Sequence, residues 1–108
     1  MIEKKLKSIE TRIRAIKKEL LRIGDMRPGS LTSQSRGGKG AYYQLSYTYQ
    51  MKSFTEYVRL ELVPFIRKQI EEYHRFKRLI EEWVGLAIKH SQLEIQLSKK
   101  IANKLAPR

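Results

Sequence analysis

A mainly α-helical fold carrying one small β-hairpin is the class this sequence predicts, and three observations predict it. Apolar residues recur at helical spacing near both ends of the chain. Between them a Pro/Gly/Ser-rich stretch breaks every periodicity, and a Tyr-rich stretch then alternates with period two. At 108 residues the chain has the length of a single domain, residues 1–108.

The N-terminal element, residues 2–23, places Ile2, Leu6, Ile9, Ile13, Ile16, Leu20 and Ile23 at alternating spacings of 4 and 3. That is the narrow a/d seam of a coiled coil. With isoleucine at d it favours three or more helices around one core over a lone two-stranded zipper. Gly24 supplies a helix stop. Residues 25–40, DMRPGSLTSQSRGGKG, then read as a long loop.

Residues 41–59 read as a β-hairpin. Tyr43, Leu45, Tyr47 and Tyr49 fall on one face and Tyr42, Gln44, Ser46 and Thr48 on the other, with a turn near Gln50 to Lys52 that no Asn-Gly pair assigns to a type. A hairpin alone is marginal in water, so one face has to lie on the helices. From residue 60 to 105 the pattern is helical again, with Pro64 tolerable in the first turn, where backbone N–H groups lack partners. Ile66, Ile70, Tyr73, Ile80, Val84 and Ala87 form one stripe; Phe76, Leu79, Trp83, Leu86, His90, Leu93 and Leu97 form a second. Such a helix is roughly 60 Å long, against a radius of gyration near 13 Å for a compact domain of this size. A homo-oligomeric helical bundle, dimer or tetramer, is the expected way to bury it, with Ile9, Ile13, Ile16, Leu20, Trp83 and Leu86 as its seam.

Charge bounds the function. Twenty-three Lys and Arg stand against 11 Asp and Glu, a net charge of +12. So basic a chain repels itself and suits an anionic partner, of which nucleic acid is the commonest. The N-terminal helix carries net +5, the loop +2, the hairpin +1 and the chain from residue 60 onward +4. Without Cys there is no disulfide or thiolate metal site. The N-terminus has neither a signal-peptide pattern nor a membrane span, so a cytoplasmic protein with no membrane partner is expected.

No catalytic constellation emerges, and neither cofactor nor metal is expected. His74 and His90 stand sixteen residues apart with no HExxH arrangement. Tyr73 lies on an apolar stripe. The Glu71/Glu72 and Glu81/Glu82 pairs have Lys68, Arg75 and Arg78 within helical reach and read as surface pairing. SRGGKG lacks the P-loop spacing, since Ser33 and Gly40 occupy the places of the first Gly and the Ser/Thr.

The binding reading is therefore a non-enzymatic nucleic-acid-binding protein, double-stranded DNA ahead of RNA. Arg27, Arg36, Lys39, Lys52 and Arg59 of the loop and ribbon meet phosphates, and Arg12, Arg14, Lys17 and Lys18 add further contacts. The alternative is a coiled-coil adaptor that recruits a protein partner, its charge serving solubility.

MRPGSL at 26–31, GAYYQLSYTY at 40–49, KSFTEYVR at 52–59 and IRKQIEEYHRFKRLIEEW at 66–83 resemble a family of small prokaryotic proteins, a domain of unknown function found near mobile elements. The resemblance implies a helix, a Gly-Ser-Leu loop, a Tyr-Tyr strand with its partner and a long C-terminal helix, and makes DNA transactions the expected setting. Many members carry a Cys-rich insertion where this chain has TSQSRGGKG, so no metal-linked role carries over. The ribbon is also loosely similar to the small DNA-binding ribbons at the N-termini of phage-type integrases.

Overall fold

A computed structural model describes residues 1–35 and 41–105. The element order is α1 (Ile2–Leu20), β1 (Ser30–Ser35), β2 (Ala41–Tyr49), β3 (Lys52–Val58), a 3-10 turn (Leu60–Leu62) and α2 (Val63–Leu105). The fold is thus mainly helical with a small antiparallel sheet, as the periodicities require. The described residues group into two compact units: those within 23–77, and residues 1–22 with 78–105.

In the helical unit α1 runs antiparallel to the C-terminal part of α2: Lys17 near its end meets Trp83, Glu10 at its middle meets His90, and Ile2 at its start lines a concavity with Leu97 and Ile101, while Arg12 reaches Glu82. Leu6, Ile16, Leu79 and Leu93 are buried between them. Glu3 in the first turn and Lys17 and Lys18 in the last turn of α1 complement its dipole. The helix stops at Leu20, three residues short of the expected end. The Arg22 N–H bonds back to the Glu19 carbonyl at 3.0 Å, tightening the last turn, and Leu21 is left exposed.

Part of the seam expected between chains meets the other helix of this same chain. Ile16 is fully buried, and Ile9, Ile13, Leu20, Trp83 and Leu86 are half-buried. A heptad pattern fixes which face is apolar; it does not distinguish a helix of the same chain from that of another. Val84 and Ala87, placed on the buried stripe by periodicity, are exposed.

In the sheet unit the strands lie in the order β1-β2-β3, all antiparallel. Residues 30–35 are therefore a strand where the sequence reads as loop. SLTSQS carries one apolar side chain, Leu31, too little for a periodic signal. Its order comes from pairing along β2, with Leu31 opposite Leu45. Pairing Tyr43 with Val58 and Tyr47 with Phe54 sets the hairpin register. Leu45, Val58 and Val63 form the core, with Leu31, Tyr43, Tyr47, Ile66 and Ile70 packed on it. Tyr43, Leu45 and Tyr47 thus take the inner face, as the alternation requires, while Tyr49 near the turn is 59% exposed.

Two backbone positions are special. Gln50 and Met51 both have positive φ (51° and 66°), the signature of a type I′ hairpin turn, although neither is Asn or Gly. Gly29 has φ +146°, and a Cβ there would meet Leu45 Cδ1 at 2.5 Å and the Ser46 carbonyl oxygen at 3.2 Å. The Gly-Ser-Leu stretch brings β1 onto β2 only because that position has no side chain.

Candidate nucleic-acid interface

The strand registers put one set of side chains on the core and the complementary set on the outer face. That outer face has four rows: Ser30, Ser46 and Thr55; Thr32, Gln44 and Tyr57; Gln34 and Tyr42; Thr48 and Ser53. All ten are uncharged, and every one carries a hydroxyl or amide that can donate and accept hydrogen bonds. Tyr42 and Tyr57 meet edge to face at 5.5 Å, leaving Tyr57 67% exposed. Thr32 Oγ1 lies 3.5 Å from the Gln44 carbonyl oxygen. Four of these ten are readable from the sequence: Tyr42, Gln44, Ser46 and Thr48. The contribution of β1 was missed because its residues read as loop. Thr55 and Tyr57 needed the register.

The candidate phosphate contacts divide into committed and free cations. Arg27 is committed: its guanidinium pairs with Glu56 and lies over the Tyr47 ring at 4.8 Å, while its backbone N–H donates to the Gln69 carbonyl at 3.1 Å. Arg27, followed by the Tyr47 hydroxyl, holds the Glu56 carboxyl below the usual carboxylate range. Arg12 is committed as well, with Nε at 2.6 Å and Nη2 at 2.7 Å from the two Glu82 carboxylate oxygens. This fork raises Arg12 further and lowers Glu82. Lys17 Nζ sits 5.3 Å from the Trp83 ring.

Lys52, Arg59, Arg14 and Lys18 are exposed. Of these Arg14 has one weak contact, Nη2 at 3.5 Å from Thr11 Oγ1. Arg36 and Lys39 lie outside the described residues. Lys52 and Arg59 bracket β3, at the turn and at the strand's exit, so cations flank a strand of the uncharged face.

His90 Nε2 lies 2.8 Å from Glu10 and Nδ1 3.1 Å from Glu94. Glu10 first, then Glu94, raises the imidazole above its ordinary pKa. This is a clamp between α1 and α2, with no sign in the sequence beyond His90's place on the Trp83 stripe. Glu72 pairs with Arg75 at 3.9 Å, in line with the surface pairing expected, whereas Glu82 turns to Arg12. Among the described residues no group of three His, Cys, Asp or Glu is placed to hold a metal, and no helix is long and apolar enough to cross a membrane. Comparison with family profiles, with curated proteins and with solved structures finds no match for the chain.

Proposed function

We propose that the protein binds nucleic acid, double-stranded DNA first, without catalysis, and that the outer face of the sheet is the surface it presents. The observation that carries this is the absence of charge on that face. At the chain's charged fraction of 31%, about three of ten outward positions would be Lys, Arg, Asp or Glu. Ser, Thr, Gln and Tyr are side chains that read base edges, with Gln able to make a bidentate pair with adenine. Sheets dock in DNA grooves by such a face, while cations at the margin grip phosphates. Lys52 and Arg59 fill that second role, joined by Arg36 and Lys39 on the evidence of sequence alone. A cytoplasmic site of action and an association with mobile elements go with this reading.

The test is binding to a labelled random duplex and to its single strands across a salt series. Four neutralised phosphates give a slope of log K against log salt of about −3.6. Lys52→Gln reduces it by about 0.9, and Gln44→Ala weakens duplex binding without altering the slope. A flat salt dependence, or no binding by the folded protein, refutes the proposal. A second reading, a helix-mediated scaffold with no nucleic-acid role, draws on the exposed Val84, Ile88 and Ile95 of α2.

A further inference from the structure

The helical unit leaves a regular apolar face uncovered. Val84, Ile88 and Ile95 are 53%, 55% and 54% exposed. With Ser91, Ser98 and Ala102, also exposed, they recur at spacings of 4, 3, 4, 3 and 4. This is a second heptad stripe, on the side of α2 away from the Trp83 stripe that faces α1. A shallow concavity lined by Ser91, Ile95, Ser98 and Ala102 runs along it.

We infer that this stripe is the seam of an antiparallel homodimer, in which α2 of one copy packs on α2 of the next about a two-fold axis at residue 93. Size complementarity selects a second copy. In that register Val84 meets the partner's Ala102, Ile88 meets the partner's Ser98, and Ser91 meets the partner's Ile95, and the same pairs repeat beyond the axis. Every layer sets one large side chain against one small one, which lets two helices approach closely and pack without voids. A parallel dimer stacks Ile on Ile and Ser on Ser.

Charge adds little to the choice of order. Lys100 and Lys104 lie toward α1, lining a concavity with Glu3 and Lys5, so of the C-terminal lysines only Lys99 borders the stripe, where the antiparallel register sets it against the partner's Ala87. The one like-charged approach that register makes is Glu94 against the partner's Glu94. Each of those carboxylates has the His90 Nδ1 of its own chain 3.1 Å away.

The need is physical too. The helical unit buries four apolar side chains almost completely, a small core for a helix pair to stand on alone. Pairing two copies makes four helices. The stripe covers about 27 Å of helix, at the small end of specific contacts, so the dimer forms with rising concentration and is not permanent.

The experiment is sedimentation equilibrium on the whole chain across a concentration series, with disulfide trapping, for which the absence of native Cys leaves a clean background. The apparent mass rises from 12.8 kDa toward twice that. Ile88→Glu with Ile95→Glu holds it at the monomer value, while circular dichroism shows the helices intact, since both positions are exposed. The Ile88→Cys, Ser98→Cys double variant is trapped as a dimer, and Ser98→Cys alone is not. A monomer at every concentration, a dimer that survives the glutamates, or self-trapping by Ser98→Cys alone overturns the inference. None of these readouts involves nucleic acid.

Discussion

Gly29→Ala is the perturbation whose effect the structure determines most closely. At φ +146° the backbone occupies a region open essentially to Gly, and an L-residue forced there costs about 1–3 kcal/mol. The new methyl would also stand 2.5 Å from Leu45 Cδ1 and 3.2 Å from a backbone oxygen. Leu45 is wholly buried in the core of the sheet unit, so it cannot swing aside into solvent. Overpacking of that kind costs a further 1–3 kcal/mol or so, giving a loss of about 2–6 kcal/mol in all.

The assay has to read the sheet unit by itself. Native-state hydrogen exchange at the β2 amides does so, and fluorescence of Trp83, the one Trp, serves as an internal control in the helical unit. Leu45→Ala removes the clashing atom. Alone it should cost roughly 2–5 kcal/mol, but in its background Gly29→Ala should cost only the backbone strain. A coupling of about 1 kcal/mol or more between the two sites follows. A loss below about 1 kcal/mol for Gly29→Ala, or equal losses in both backgrounds, would refute the close-approach account.

Three further outcomes are expected. Gln50→Asn with Met51→Gly matches the residues to the positive-φ turn and should stabilise the hairpin by about 1 kcal/mol, read by exchange at β3. His90 has its pKa raised above the ordinary 6.5 by Glu10 and Glu94. The clamp therefore contributes fully below about pH 6.5 and is lost as pH climbs through the raised value. Melting of the helical unit, followed at Trp83, should fall over that window, and His90→Gln should flatten the profile. Arg27→Gln should lower sheet stability and leave the salt slope of duplex binding unchanged, because its guanidinium belongs to Glu56 and Tyr47; a reduced slope would return Arg27 to the interface.

The helices and the hairpin were legible because each repeats its signal: seven apolar residues at heptad spacing in the first, four inward positions at period two in β2. Strand β1 was not, because Leu31 is its one apolar residue and its pairing information lies in β2 and in Gly29. The fates of cations were equally hidden. Arg27 in a Pro/Gly stretch looks free until the fold sets Glu56, 29 residues away, beside it. Arg12 likewise meets a carboxylate 70 positions on. Periodicity put Val84 and Ala87 on a buried stripe of α2; only the position of α1 shows that they lie outside the covered face.

The helical unit is assembled from the two ends of the chain, with residues 23–77 folding as a unit of their own in between. The sheet is a meander, so its contacts are local and quick to form. Helix α1 is in the opposite position: it leaves the ribosome well before residues 78–105, which cover it. For most of synthesis its isoleucine seam has no intramolecular partner. Early closure of the sheet unit shortens the effective loop that must be bridged when that partner arrives. The nested order makes the arrival of residues 78–105, more than any property of α1, the event that commits the helical unit to its fold.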